Sequence, residues 1–317
     1  MKIRTLLQIS SLSIAMILTS CDYNDDSGQP IDPTPSTFEI IANSEDHTIL
    51  EQALIDTGLD QILNSGNFTI FAPDDDAFNA IDISSLGNDE LTNILLYHVI
   101  NGNASSTDFA NGYIKTNATE SYSGDSNFLD IYVNVDGGIS LNGVASVSPP
   151  DLVASNGTVH VVDSVITLPT VVTLAGSNPS FSNLVTALIQ EDLLDILSTN
   201  PDTSPAPFTV FAPDDSAFDN FIAEDNGVDT IQQILDLNNL SDILTYHVLP
   251  DEGVRSGDIS DGVMPTTIQG ETFTINVSDE VTITDQNLRN INVTATDFTA
   301  TNGVVHVLDN ILLPTLP

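Results

Sequence analysis

The chain of 317 residues has no tryptophan, a single cysteine, and five lysines and arginines against 45 aspartates and glutamates. Each scarcity excludes something. One cysteine, Cys21, cannot close a disulfide within the chain. So few cations in a chain of formal charge −40 cannot displace counterions from a phosphate backbone, so nucleic acid is not an expected partner. The acidity reads as a solubility device, with diffuse association of divalent cations as the other reading. No nucleophile elbow, P-loop, dinucleotide-binding glycine run, zinc-protease helix or EF-hand loop occurs, so neither a cofactor nor a metal is implied. Aromatic residues make up 6% of the chain, which leaves a sugar-stacking platform only Tyr113, Tyr122 and Tyr132 to build on.

The ends carry address information. Lys2 and Arg4 precede an apolar stretch, Leu6 to Ile17, too short to span a bilayer. It runs into Leu18-Thr19-Ser20-Cys21, which resembles a lipobox. Residues 1–20 are therefore expected to be a lipoprotein signal peptide, with Cys21 acylated after cleavage. Acyl chains would anchor the protein at about 0.8 kcal/mol per buried methylene. Cleavage leaves three basic residues against 45 acidic ones, a charge that makes the lipid anchor, not lipid electrostatics, the expected hold on the membrane. Residues 21–36 are acidic and proline-rich and read as a tether that buries no core. An acidic run straight after the cysteine resembles a surface-export signal of bacterial lipoproteins, so the expected location is the outer membrane, facing outward.

The body of the chain is written twice. Phe68–Phe78 (FTIFAPDDDAF) returns as Phe208–Phe218 (FTVFAPDDSAF), Ile94–Ile100 as Ile243–Leu249, and Asn156–Asp163 as Asn302–Asp309. Upstream, Ala53, Leu54, Ile55, Leu59, Ile62 and Leu63 match Ala187, Leu188, Ile189, Leu193, Ile196 and Leu197. Four blocks in one order mark a duplication of units large enough for separate cores. Domains are expected at 37–169 and 179–317, joined by a linker at 170–178. Within a copy, helical spacing from Leu50 to Leu63 leads to a short strand ended by Pro73, then a helix opened by Asp74, and a second apolar helix through Leu91–Val99. Period-two strands follow, at Phe128–Val135 in the first copy and at Phe273–Val277, Val281–Thr284 and Ile291–Ala295 in the second. Helices first and strands later give an α+β class.

FTIFAPDDDAF, LLYHVI and SNGTVHVVDSVITLP, and in the second copy FTVFAPDDSAF, LTYHVL and TNGVVHVLDNILLP, resemble the conserved blocks of the fasciclin (FAS1) family from about Thr37 to Pro314. The resemblance implies two tandem FAS1 domains, each a β-wedge or sandwich decorated by helices, in an extracellular adhesion protein without catalytic activity. It also implies a partner-contact role for the Tyr-His segment, here Tyr97, His98, Tyr246 and His247.

Weighed as residues, His98 and His247 end apolar helices, and His160 and His306 alternate with valines. Buried, hydrogen-bonded structural roles fit them better than metal ligation. Asp74-Asp75-Asp76 and Asp214-Asp215 follow Phe-Ala-Pro, where helix capping is simpler than a cation site or a catalytic carboxylate pair. Asn156-Gly157 and Asn302-Gly303 read as tight turns. Gly102–Gly124 and Asp251–Gly270 differ most between copies and are where ligand specificity is expected. The function these readings support is adhesion between cells, to matrix or in biofilm, toward an extracellular protein or polysaccharide ligand. The alternative is a glycan-binding accessory lipoprotein of a nutrient-uptake system.

Overall fold

A computed structural model describes residues 34–148, 151–224 and 227–315. The expected signal peptide, the lipidation site Cys21 and the tether up to Pro33 lie outside the described residues. Among the described residues no helix is long and apolar enough to cross a membrane.

The first copy runs α1 (Thr37–Ala42), α2 (Thr48–Thr57), α3 (Leu59–Ser65), β1 (Phe68–Pro73), α4 (Asp75–Asn79), α5 (Asn88–Tyr97), β2 (Val99–Asn101), β3 (Gly112–Thr119), β4 (Phe128–Asn134), β5 (Ser140–Leu141), β6 (Ala145–Ser146), β7 (Leu152–Ala154) and β8 (Gly157–Val162). The second repeats the plan with α6 (Val171–Ser177), α7 (Ser182–Gln190), α8 (Leu194–Leu197), β9 (Phe208–Pro213), α9 (Asp215–Ala223), α10 (Ile231–Leu235), α11 (Leu240–Tyr246), β10 (Val248–Leu249), β11 (Thr274–Val277), β12 (Val281–Thr284), β13 (Asn290–Ala300) and β14 (Gly303–Leu308).

The helical run from Leu50 to Leu63 is two helices, because Gly58 sits at φ +74° between α2 and α3. Its counterpart Asp192 turns the second copy at φ +53°. In each copy the sheet is built around a parallel pair, β1 with β8 and β9 with β14, flanked by the antiparallel β2 and β10. The period of two then divides the apolar side chains between two layers. Ile70, Ala72 and Val159 face the helices, while Phe71 and Val162 face the second sheet, β3-β4-β5-β6. Val305 and Val307 against Leu308 repeat that division. In the second copy β13 runs eleven residues through two register shifts and joins both sheets into one of six strands.

Two stretches expected to lie outside the domains carry structure. Ser36, placed in the tether, caps α1 in a reciprocal box with Glu39, and the Ser155 amide donates to Pro35 O at 2.9 Å. Residues 170–178, expected as a linker, are instead largely α6, capped by Thr170 and burying Val171, Leu174 and Ala175 in the second core. The Thr301 amide donates to Pro169 O at 2.8 Å, as Ser155 does to Pro35, so the second unit starts where the first ends.

Candidate functional site

The Tyr-His pair ends α5 and α11, and the apolar face of each helix carries it inward. Tyr97 and Tyr246 are 0% exposed, and His98 and His247 are 2% and 3% exposed. Tyr97 donates to Asp130 O at 2.7 Å and accepts from Asn142 Nδ2 at 2.9 Å. His98 Nδ1 donates to Ile94 O at 2.8 Å, and Nε2 accepts the Ile166 amide at 2.9 Å. His247 repeats this with Ile243 O and the Leu312 amide. For Tyr97, His98, Tyr246 and His247 the resemblance implies a partner-contact role; here all four are buried and hydrogen-bonded within the fold. These side chains offer no surface, and what they do is pin the helix end to the final strand's exit.

Burial pushes both imidazoles down to about 4 from the ordinary 6.5, against the opposing pull of the Ile94 and Ile243 carbonyls. A histidine depressed in the fold contributes stability that is whole above 6.5 and is lost as pH falls from 6.5 toward 4. The loss comes to about 3 kcal/mol per histidine over that window. NMR titration of the ring carbons should therefore show two histidines with midpoints near 4. Midpoints near 6.5 for all five would sink the assignment.

The strand histidines belong to a second repeated device. Asp151 and Asp297, at φ +63° and +68°, hold the amide and hydroxyl of Ser106 and Ser256. Their own amides donate to Nδ1 of His160 and His306. Nε2 donates to Ala104 O and Val254 O. Serine, aspartate and histidine thus meet twice, but each serine hydroxyl rests on the carboxylate and both ring nitrogens are occupied. No base faces a nucleophile in this arrangement, and its effect is to clip the loop after β2 or β10 onto the last strand.

The acid clusters are caps. Asp74 and Asp214 accept the Ala77 and Ala217 amides at 2.8 Å. The next residue does what the sequence did not suggest. Asp75 reaches back to Ile49 N and Thr48 Oγ1, and Asp215 to Asn183 N and Ser182 Oγ, each capping a helix some 30 residues earlier.

The stretches expected to carry specificity meet at the junction between the copies. Lys115 Nζ lies 2.5 Å from Asp130 Oδ2 and donates to Asp297 O and Thr299 Oγ1 at 3.1 Å. The Thr299 amide donates to Asp130 at 2.6 Å, and Arg255 Nη2 to Thr299 Oγ1 at 2.8 Å. Burial raises the Asp130 carboxyl, while Lys115 and the Thr299 amide oppose that rise. Tyr113 donates to Leu174 O at 2.6 Å and packs on Phe298, ring centres 4.3 Å apart. Tyr122 abuts Gly253, where an added Cβ would lie 2.5 Å from its ring, and Tyr132 is 6% exposed. Of the three tyrosines left open for sugar stacking, Tyr113 and Tyr122 pack at the junction, partly covered, and Tyr132 is buried. Tyr113 and Tyr122 sit in a segment that differs between the copies and faces the other copy.

The Fasciclin domain profile matches residues 45–169 and 179–314. Periostin of Homo sapiens is 29% identical over 264 residues, covering 80% of this chain but only 29% of periostin, so the chain spans less than a third of that relative. The uncharacterized protein sll1735 of Synechocystis is 33% identical over 146 residues, 46% of this chain and 98% of that protein. Among solved structures, a FAS1 domain pair from the insect cell adhesion molecule fasciclin I superposes with a TM-score of 0.50 at 23% identity, covering 83% of this chain and 95% of that one. That likeness concerns the fold. The repeated motifs, the paired α+β units and the profile match agree, and the chain belongs to the fasciclin domain family, with one domain in each copy.

Proposed function

We propose that this protein is a lipid-anchored adhesion protein of the cell surface, whose paired fasciclin domains engage a protein or polysaccharide outside the cell. The observation that carries the reading is that one scaffold is presented twice on one body, with equivalent apolar residues left in the open. Ile55 and Ile62 are exposed in the first copy, and Ile189 and Ile196, their counterparts, in the second. Two weak sites held together gain avidity without new contacts. The likeness to a cell adhesion molecule's domain pair supports the same reading. The glycan-binding alternative has less to stack on, since Tyr113 and Tyr122 are partly covered and Tyr132 is buried.

Two measurements test this. Cys21→Ser is expected to move the chain from the detergent phase to the aqueous phase of a membrane extract; retention in detergent would remove the anchor. Cells displaying the wild-type chain are expected to aggregate or to bind matrix proteins, and cells displaying the Ile55→Glu/Ile189→Glu variant to do so more weakly. Displayed wild-type protein that binds neither cells nor matrix would remove the adhesive reading.

A further inference from the structure

A cavity of 460 Å³ opens beside the start of α2, lined on one side by Glu45, Asp46, His47 and Asp76 and on the other by Leu152 and Val161. His47 is 6% exposed, yet its Nε2 has no hydrogen-bond partner. A buried polar atom left unpaired is costly and calls for an explanation. The second copy supplies the comparison. Asp75 caps α2 through Thr48 and Ile49 just as Asp215 caps α7 through Ser182 and Asn183, which makes Phe181 the counterpart of His47. Both residues precede their helix with similar backbone, φ −128° and −111°, and Phe181 is 1% exposed. Packing at this position is therefore satisfied by a phenyl ring. The imidazole adds a nitrogen that the fold itself leaves without a partner.

The surroundings define what could use it. Asp74 and Asp75 already serve as caps, but Glu45, Asp46 and Asp76 are exposed, and among the described residues no hydrogen bond or ion pair engages their carboxylates. Ser44 Oγ lies 2.8 Å from His47 Nδ1 and accepts the Asp46 amide at 3.3 Å. With Nδ1–H donating to that hydroxyl, Nε2 presents a lone pair. Among the described residues no three histidine or carboxylate groups converge as a metal cage would require. The need is for a ligand with several N–H donors, positive charge and an aliphatic body.

We propose that this cavity binds a primary alkylammonium group, as on a lysine side chain of a partner protein. The methylene stem would lie along Leu152 and Val161, and the ammonium would donate to His47 Nε2 and to the carboxylates of Asp46 and Asp76. This deepens the adhesive reading by naming the chemistry of one partner group, and it rests on that reading only for the partner being a protein. Of the chain's two lysines, Lys115 is held at the junction and Lys2 belongs to the expected signal peptide, so the group comes from another molecule.

The test is an NMR titration of the full chain, following the His47 ring and the Asp46 and Asp76 amides. Its probes are n-butylammonium, a lysine-containing peptide, the same peptide acetylated at Nζ, and Zn²⁺. Saturable shifts with n-butylammonium are expected, weakened about 10-fold or more by His47→Phe, which should fold because Phe181 does, and by Asp46→Asn/Asp76→Asn. Tighter binding of the lysine peptide than of the free amine, lost on acetylation, assigns the site to a protein; the reverse order assigns it to small amines. Equal shifts in wild type and His47→Phe, or a His47 response to Zn²⁺ but not to amines, would overturn the proposal. Because these probes need no cell, their failure leaves aggregation untouched. Lost aggregation with intact amine binding would remove the adhesive reading alone.

Discussion

Gly303→Ala is expected to destabilise the second domain by on the order of 4 kcal/mol or more, and Gly157→Ala to do the same to the first. Each glycine opens the final strand directly beside the strand that begins at Phe208 or Phe68. An added Cβ would stand 2.3 Å from Phe208 O in one case and 1.8 Å from Phe68 O in the other. The atom in the way is backbone, tied into the central sheet by the amides of Phe208 and Phe68, which donate to Asn302 O and Asn156 O. It cannot swing aside as a side chain would. The backbone at φ +157° and +152° adds strain for any residue with a Cβ. Gly257, where an added Cβ would meet nothing within 4 Å and the φ is not unusual, is the control, and Gly257→Ala should fall within about 0.5 kcal/mol of wild type. Denaturant unfolding of the three variants decides it. Since two domains need not unfold together, the signature is an early transition confined to the altered copy. A midpoint unchanged in Gly303→Ala would refute the steric account.

The same residues show what the sequence could and could not disclose. The short apolar run Phe68–Ala72, the aspartate after Pro73 and the apolar approach to Tyr97 are local signals, and each became the expected strand, cap and buried helix end. Duplication made them readable, because a motif met twice is hard to mistake. What stayed hidden was action at a distance. Asp75 caps a helix 26 residues upstream, Lys115 bridges to Thr299, and the orphaned His47 nitrogen has meaning only beside a cavity. The helix α6 was hidden for another reason. Thr37–Ala42 and Val171–Ser177 share neither residues nor a long apolar period, only a capping hydroxyl before them. Asn-Gly was read as a turn from its glycine, while the asparagine side chain does as much of the organising.

That side chain carries the second large effect. Asn302 is 0% exposed, accepts the Val171 amide at 2.9 Å through Oδ1, and donates through Nδ2 to Leu197 O at 2.9 Å and Thr199 O at 3.0 Å. It thereby ties the start of α6 and the end of α8 to the turn before β14. Asn156 makes the same three bonds, to Thr37, Leu63 and Gly66. Asn302→Asp preserves the shape and inverts the chemistry, setting an oxygen against two carbonyl oxygens. The expected cost at neutral pH is about 3–5 kcal/mol, since an ionised carboxylate there would be buried with a single donor. The fold would prefer the new aspartate protonated, so its folded pKa should lie above the unfolded value of about 3.9. By linkage the defect is then largest above the folded pKa and shrinks as pH falls toward the unfolded value. This is the opposite sense to the wild-type loss from His98 and His247. Asn302→Ala, without a titrating group, should show a destabilisation that does not change with pH. Urea unfolding of wild type and both variants at pH 7 and pH 5 separates these outcomes. A gap between wild type and Asn302→Asp that stays constant, or stays below about 1 kcal/mol, would mean that Asn302 serves the turn alone and does not hold the helices to it.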